Sequence, residues 1–250
     1  MEKVFSKPKC MSNTPFHYCP GCDHGIIHRL VGESLDELDL AAKAIGVAPV
    51  GCAVFAYDYF DIDFNSAAHG RAPAVATGIK RVRPDSIVFT YQGDGDLAAI
   101  GTAEIVHAAN RGENITVVFV NNAIYGMTGG QMAPTTLVGM RTATSPYGRD
   151  AATAGYPIKM SELIATLESP VYVTRVAVNT PANLMKAKRA IKNAFQLQKE
   201  KKGFSLVEVL GICPTNWGKP PIEAHKWVTE DMLPVFPLGV FKDKTGVEKS

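Results

Sequence analysis

The stretch SIVFTYQGDGDLAAIG, residues 86–101, decides the fold. Its first seven residues form an apolar run rich in β-branched and aromatic side chains, which is typical of a buried strand. GDGD at 93–96 ends that run, and small and apolar residues then recur at helical spacing over 97–110. A second apolar run, ITVVFV at 115–120, is followed by two asparagines at 121–122. Two buried strands joined by a helix predict a pair of parallel strands.

The same alternation extends along most of the chain. The periodicity predicts helices at 24–39, 70–83, 97–110, 160–169 and 181–202, and strands at 44–52, 86–92, 115–120, 171–178 and 204–210. Apolar strands that alternate with helices indicate an α/β fold with a doubly wound, mostly parallel sheet. The segment 123–158 is rich in Gly, Thr and Pro, and we expect a functional loop there.

We expect one domain over residues 1–250, because no internal repeat or low-complexity segment divides the chain. An N-terminal arm, residues 1–23, precedes the first helix and carries a closely spaced cysteine pair. The tail, residues 216–250, contains several prolines and predicts an irregular segment that wraps a surface or a partner.

Composition limits the class of partner. The net charge is +2, and the densest basic run, QKEKK at 198–202, suits a solvated helix end, so no nucleic-acid partner is expected. The N-terminus has no apolar h-region, and no run of 18 apolar residues occurs, so we expect a soluble, cytoplasmic protein that does not enter a membrane.

Polar residues follow both central strands at the edge where ligands bind in open α/β sheets. Asp94 offers a hard carboxylate oxygen, Asn122 offers an amide oxygen, and a backbone carbonyl just beyond can complete the protein's share of a Mg²⁺ site that also holds a diphosphate. The alternative is an ordinary strand-to-helix turn, because Gly and Asp are common turn residues. The 25 residues between Gly95 and Asn121 resemble the GDG to NN spacing of thiamine diphosphate enzymes.

The cysteines raise a second question. Cys19 and Cys22 form a CxxC pair, and Cys52 and Cys213 stand far from it in sequence. By itself the pair fits a redox disulfide, a zinc site, an iron-sulfur cluster or simple packing. Four-cysteine zinc sites usually contain two CxxC pairs, whereas this chain has one. Pro214 follows Cys213, as a proline follows the last cluster ligand in small ferredoxins.

Six segments together resemble the β subunits of 2-oxoacid:ferredoxin oxidoreductases, in the same order and over about four-fifths of the chain: YCPGCDHG, GCAVF, AAHGRAPAVATGIK, YQGDGDLAAIG, VNNAIYGMTGGQ and EVLGICPTNWG. That family's subunit binds thiamine diphosphate, Mg²⁺ and one 4Fe-4S cluster. The resemblance implies that Cys19, Cys22, Cys52 and Cys213 ligate the cluster, and it leaves Cys10 as a free or packed thiol.

The resemblance also implies individual roles. Mg²⁺ would be held by Asp94, Asn122 and the backbone carbonyl of Ile124. The organic cofactor would contact Val50, Gly51, Cys52, Ala53, His69, Gly70, Gly93, Gly95, Asp96, Gly126 and Met127. His69 could donate to a phosphate or move a proton, and its alternative role is to cap the following helix. His24, His28 and His107 lie in helical runs and are expected to be surface or core residues.

The family's reaction is the coenzyme A-dependent oxidative decarboxylation of a 2-oxoacid, with electrons passed through the cluster to ferredoxin. The resemblance implies an α subunit that supplies the pyrimidine half of the site, with γ and ferredoxin-like δ subunits or fused equivalents. No cation occurs in Ala53-Val54-Phe55-Ala56, which favours an aliphatic substrate such as 2-oxoisovalerate over 2-oxoglutarate or pyruvate. The alternatives are a non-oxidative thiamine-dependent decarboxylase with structural zinc, and a non-catalytic electron-transfer or metal-sensing subunit.

Overall fold

A mostly parallel sheet forms the centre of the molecule. The computed structural model describes residues 6–245, and within them seven strands pair in the order β2-β1-β3-β4-β6-β5-β7. Only β7 runs antiparallel, alongside β5 at one edge. The strands are β1 Ala44–Ala48, β2 Asp63–Ser66, β3 Ile87–Gly93, β4 Thr116–Asn121, β5 Tyr172–Ala177, β6 Ser205–Leu210 and β7 Gly239–Asp243.

Helices cover both faces of the sheet. They are α1 His24–Glu37, α2 Ala56–Tyr59, α3 Ala72–Val82, α4 Thr102–Asn110, α5 Ala151–Ala154, α6 Met160–Ala165, α7 Pro181–Lys199, α8 Pro214–Trp217, α9 Pro221–Trp227 and α10 Leu233–Val235. One core joins α1 and α7 to the sheet around Phe89, and a second joins α3, α4 and α6 to it around Val88. Adjacent strand residues point to opposite faces, which confirms the doubly wound α/β prediction.

No helix in the described part of the chain has the length and apolar character that a membrane crossing requires.

The strand order places a crevice at one end of the sheet. From β1 the chain moves outward to β2, whereas from β3 it moves in the opposite direction to β4. The carboxyl ends of β1 and β3 therefore border a topological switch point, where open α/β sheets bind ligands. The GDGD segment at 93–96 lies at this point, and a π-helical turn, Gly95–Ile100, leads from it into α4.

The prediction of an irregular tail at 216–250 is wrong for the described residues. Ala224 of α9, Val228 and Met232 of the π-helical turn that follows it, and Phe236 after α10 pack near the carboxyl ends of β5 and β6, and β7 extends the sheet. The prolines misled the prediction because Pro221 and Pro234 occupy the first turns of helices, where a missing N–H costs no intrahelical hydrogen bond. Residues 1–5 of the predicted arm and 246–250 of the predicted tail lie outside the described residues.

A buried ionic network joins this C-terminal region to the sheet. Arg175 on β5 is 1% exposed, and its guanidinium bonds Glu162 at 3.0 Å and the Pro237 carbonyl at 3.1 Å. Its Nε lies 2.9 Å from Oε2 of the fully buried Glu208 on β6. Phe236 and Phe241 flank the guanidinium, with ring centroids 5.2 and 4.9 Å from Cζ. Arg175 thus compensates the buried Glu208 carboxylate. Its bond to Pro237 also fixes the segment that leads into β7.

We predict that Arg175→Met destabilises the fold by about 3–5 kcal/mol, because it leaves the Glu208 carboxylate buried without its cation. Urea unfolding at fixed cofactor concentration measures the change. Arg189→Met, at an exposed position of α7, is the matched control and should change the unfolding free energy by less than about 0.5 kcal/mol. Equal stability of the two variants would contradict this role for Arg175.

Candidate active site

The strand ends form one open cavity. Its walls come from the segments after β1, β3 and β4, and almost every residue expected to hold a cofactor lines it: Val50, Gly51, Cys52, Ala53, His69, Gly93, Asp94, Gly95, Asp96, Asn122, Ile124, Gly126 and Met127. Gly70 is the exception, and it lies just behind the wall, where its N–H donates to Asp96 Oδ1 at 2.9 Å. Cys19, Cys22 and Cys213 also lie outside the lining.

Three acceptor groups converge at the floor of this cavity. A terminal atom of the Asn122 amide lies 2.8 Å from the Ile124 carbonyl oxygen and 3.1 Å from Asp94 Oδ1. Without a cation, the amide NH₂ would turn to donate to both oxygens. With the amide oxygen in that position, the separations match those of adjacent ligands in an octahedron with 2.0–2.1 Å bonds, about 2.9 Å. The donor set therefore fits Mg²⁺, which also prefers oxygen ligands.

A strained turn directs two of these groups. Ala123, between Asn122 and Ile124, has φ of 58°, which is uncommon for a residue with a Cβ. Its N–H donates to Asn121 Oδ1 at 3.1 Å, and its carbonyl accepts the Thr136 hydroxyl at 2.6 Å. These bonds hold the left-handed backbone, which turns Asn122 and Ile124 toward the same point.

The third group, Asp94, is buried at 4% exposure. Burial raises its pKa to about 7, against the opposing effect of the Thr135 hydroxyl, which donates to Oδ2 at 2.7 Å. A buried carboxylate with this pKa gains most from a nearby cation, because the cation favours the charged form. The surroundings of Asp94 thus suit a metal ligand.

The loop over the site is ordered by one arginine. Arg149 donates to six backbone carbonyls between Ala133 and Tyr156, including Thr136 at 2.6 Å and Pro134 at 2.9 Å. These bonds fold the segment 123–158 into the compact shape that brings Thr135 to Asp94.

Asp96 has a different role from its neighbour. Its carboxylate accepts bonds from the Val50 N–H at 3.0 Å, the Gly70 N–H at 2.9 Å and Gln92 Nε2 at 2.7 Å. Because the Asp96 carboxylate accepts hydrogen bonds from both, it connects the segment after β1 to the segment before α3. The expected diphosphate contact of Asp96 would therefore be made by its backbone N–H, since a carboxylate repels a phosphate.

His69 lies at the rim of the cavity. Its Nδ1 lies 2.7 Å from Asp96 Oδ1, and its side chain is 42% exposed. The alternative that His69 caps the following helix is wrong, because α3 begins after Arg71 without a side-chain cap. The contact with Asp96 orients the ring, and His69 remains a candidate for contact with a phosphate or for proton transfer.

The four cysteines lie close to one another at one side of the cavity. A Cβ placed on Gly126 would lie 3.1 Å from Cys52 Sγ and 3.4 Å from Cys213 Sγ. Burial, and secondarily the neighbouring cysteines, raises the thiol pKa values of Cys22 and Cys52 to about 12. Burial also raises the pKa of the Cys213 thiol, and electrostatic repulsion from Cys19 raises it further. All five cysteines are free, and Cys10 is separate, with its thiol bonded to the Gly32 carbonyl at 3.4 Å.

The number of thiols bears on the group that they could hold. Ligands around one zinc, at about 2.3 Å each, would place sulfurs about 3.8 Å apart. Among residues 6–245, no three His, Cys, Asp or Glu side chains converge in a way that could hold one ion. A 4Fe-4S cluster is held by four thiolates, and the four cysteines would supply that number.

Several residues of the site were not predicted. Thr135 and Arg149 lie in a segment without periodicity, and nothing in their local sequence distinguishes them. His24 is a core residue, as expected, at 4% exposed, but it also lines the cavity, which was not predicted. Its position two residues after Cys22 was the available signal, because that cysteine was already assigned to the site.

Comparison with known proteins agrees with this geometry. Residues 49–209 match the family model described as thiamine pyrophosphate enzyme, C-terminal TPP binding domain. The fold and the cavity thus define a thiamine diphosphate-binding module. The chain belongs to the β-type subunits of the 2-oxoacid:ferredoxin oxidoreductases, a family shown by the relatives described next.

Ketoisovalerate oxidoreductase subunit VorA of Methanothermobacter thermautotrophicus is 51% identical over 98% of this chain and 51% of its own length. The chain therefore spans about half of that relative. 2-Oxoglutarate synthase subunit KorB of Methanocaldococcus jannaschii is 39% identical over 88% of this chain and 79% of its own length. A solved structure of 2-oxoglutarate:ferredoxin oxidoreductase from Magnetococcus marinus, with 2-oxoglutarate, coenzyme A and succinyl-CoA bound, superimposes with a TM-score of 0.80. It is 27% identical, over 97% of this chain and 87% of that one.

Gly126 lies so close to two cysteine sulfurs that a side chain there should disturb them. We expect Gly126→Ala to introduce about 1–3 kcal/mol of strain, because the new methyl group would press on Cys52 and Cys213. Displacement of either sulfur should lower the iron bound per chain after anaerobic purification. Gly78→Ala is the control, since a Cβ at this position of α3 meets no atom within 4 Å. Full iron content in both variants would contradict the cluster assignment at this place.

Proposed function

We propose that the chain is the thiamine diphosphate-binding subunit of a 2-oxoacid:ferredoxin oxidoreductase. In this proposal a complex containing the chain oxidatively decarboxylates an aliphatic 2-oxoacid with coenzyme A, giving acyl-CoA and CO₂, and passes the electrons through a 4Fe-4S cluster to ferredoxin. The observation that carries the proposal is the meeting of two donor sets at one cavity. Oxygen ligands form its floor, and the Cys52 thiol lies in its wall.

The oxygen set would hold Mg²⁺ and, through it, the diphosphate. Asp94, Asn122 and the Ile124 carbonyl would supply the protein ligands, and phosphate oxygens and water would complete the shell. Gly95 supports this use, because a Cβ there would lie 3.2 Å from the Tyr125 ring and narrow the approach to the backbone. Bound thiamine diphosphate would supply a carbanion that attacks the keto carbon and accepts the electron pair as CO₂ leaves.

The thiol set would hold the cluster. Cys52 follows β1 in the cavity wall and Cys213 follows β6, while the N-terminal arm contributes Cys19 and Cys22. Asn216 Nδ2 lies 3.3 Å from Cys213 Sγ and 2.9 Å from the Gly126 carbonyl. A hydrogen bond to a cluster sulfur tunes its reduction potential, so Asn216 would influence electron exit.

An aliphatic 2-oxoacid is the substrate that the cavity favours. Its lining residues in the described chain include no Lys or Arg, whereas a second carboxylate such as that of 2-oxoglutarate needs a cation. Val50, Ala53 and Ile100 give part of the wall an apolar surface. VorA, named for ketoisovalerate, is also the more similar of the two relatives described above. We therefore favour 2-oxoisovalerate over 2-oxoglutarate or pyruvate.

Partner subunits complete the proposed enzyme. An α subunit would supply the pyrimidine half of the cofactor site and the glutamate that activates the ring, while γ and ferredoxin-like δ subunits, or fused equivalents, would carry electrons and bind coenzyme A. Exposed apolar side chains at the rim, Ile100 at 52% and Met127 at 53%, offer a surface for the α subunit.

Two substitutions should separate the two donor sets. Asp94→Asn should weaken Mg²⁺-dependent binding of thiamine diphosphate by at least about 100-fold, because it removes the charged ligand, and should leave the iron content unchanged. Cys213→Ser should retain thiamine diphosphate and lose iron or electron transfer. Calorimetry and metal analysis provide the two measurements, with the exposed Asp85→Asn as control. Loss of both ligands in each variant would indicate unfolding and oppose the assignment.

The activity itself is tested with the assembled complex. We expect the chain co-expressed with its partner subunits to reduce ferredoxin with 2-oxoisovalerate and coenzyme A, with a higher kcat/KM than for 2-oxoglutarate. The isolated chain should show no such activity, because in this proposal the α subunit supplies the pyrimidine half of the cofactor site. One zinc and no iron in the anaerobically purified chain, together with ferredoxin-independent decarboxylation, would favour the non-oxidative alternative.

A further inference from the structure

His24 is a buried polar side chain that the proposed chemistry leaves without a role. It begins α1 directly after the CxxC pair, is 4% exposed, and faces the same cavity as Val50, Ala53 and Asp94. Polar groups with this degree of burial are normally hydrogen-bonded on every available atom. The partners of its two ring nitrogens therefore indicate what it does.

One nitrogen is satisfied inside the protein. Nδ1 lies 2.8 Å from the hydroxyl of Tyr91, which is fully buried on β3. Within residues 6–245 the Tyr91 hydroxyl has no other hydrogen-bond partner. We therefore infer that the hydroxyl donates its hydrogen to His24 Nδ1. The bond selects the tautomer of His24 in which Nε2 carries the proton. Nε2 then becomes a hydrogen-bond donor.

The other nitrogen has no protein partner among the described residues. No hydrogen bond reaches Nε2, and Nε2 is not among the buried side-chain atoms that lack a partner, so it remains accessible from the cavity. The ring is also fixed in place, because Tyr18 stacks on it with centroids 4.7 Å apart and an interplanar angle of 22°. A donor that is fixed, nearly buried and accessible only from a ligand cavity is arranged to bind a ligand.

We propose that His24 Nε2–H donates a hydrogen bond to an oxygen of the bound 2-oxoacid, which makes His24 a substrate-contacting residue. This inference rests on the proposed function. The described residues that line the cavity include no Lys or Arg for the substrate carboxylate, so a neutral donor at this wall can bind it without favouring a second acidic group. Because α1 begins at His24, Asp23 sets its position by accepting the Ile212 N–H at 3.0 Å and contacting His225 at 3.1 Å.

The test compares two replacements of His24 in the assembled complex. His24→Phe keeps a ring that can stack on Tyr18 but removes the donor, and we expect kcat/KM for 2-oxoisovalerate to fall about 10- to 100-fold. His24→Gln places an amide N–H near the position of Nε2 and should recover part of that loss. His107→Phe on α4, an exposed histidine far from the cavity lining, should leave kcat/KM unchanged.

The separate kinetic constants identify the oxygen that is bound. A raised KM indicates the substrate carboxylate, whereas a lowered kcat indicates the keto oxygen, which gains negative charge as its carbon is attacked. Either result supports the proposal. Iron per chain and thiamine diphosphate affinity, measured on the same preparations, should stay at wild-type values in His24→Phe.

Two results would overturn the inference. The first is an unchanged kcat/KM in His24→Phe. The second is a loss of activity that parallels losses of iron and thiamine diphosphate, with no recovery in His24→Gln, because that pattern marks a purely structural residue. Failure of the proposed function is distinct from both: the wild-type complex would then bind no thiamine diphosphate or turn over no 2-oxoacid.

Discussion

The forced approach of three oxygen groups is the constraint on which the rest of the site depends. The Asn122 amide lies within 3.1 Å of both Asp94 Oδ1 and the Ile124 carbonyl, in a cavity whose lining includes no Lys or Arg from the described residues. Without a metal the Asn122 amide can turn its NH₂ inward, which satisfies both oxygens with hydrogen bonds. A cation reverses that amide, because its oxygen then gains a coordination bond. The same side chain can thus stabilise both the empty and the loaded site.

The positions of Asn122 and Ile124 depend on hydrogen bonds made by neighbouring buried residues. The left-handed turn at Ala123 depends on Asn121, whose amide donates to Glu208 Oε1 at 2.8 Å. Glu208 also accepts the Ser161 hydroxyl at 2.5 Å, and Arg175 lies against its other side. A buried ion pair contributes little net stability compared with apolar packing, since desolvation offsets the attraction. Its value here is directional: it fixes the Asn121 amide and, through it, the turn that carries the proposed metal ligands.

The sequence predicted the parts of this molecule that have a regular period or a fixed spacing. The strands at 86–92 and 115–120 lie within a residue of β3 and β4, because both are buried on two faces and therefore uniformly apolar. Asp94 and Asn122 were found because strand ends meet at one edge of a parallel sheet. Thr135 and Arg149 could not be found in this way, since long-range hydrogen bonds within an aperiodic loop leave no local pattern. The tail was mispredicted because proline has opposite meanings at a helix start and in its interior.

The cavity and the cysteines share structural elements, which couples their geometry. Cys52 lies in the cavity wall after β1, and Gly126 follows directly on the turn that carries Asn122 and Ile124. Since the same short segment carries the proposed metal ligands at its start and borders two cysteine sulfurs at its end, neither group of residues can shift without moving the other. Asp96 adds a second tie, because it bonds Val50 two residues before Cys52. One-electron transfer between a cofactor in this cavity and a cluster on these cysteines would need a fixed distance, and the backbone connections of the fold would supply it.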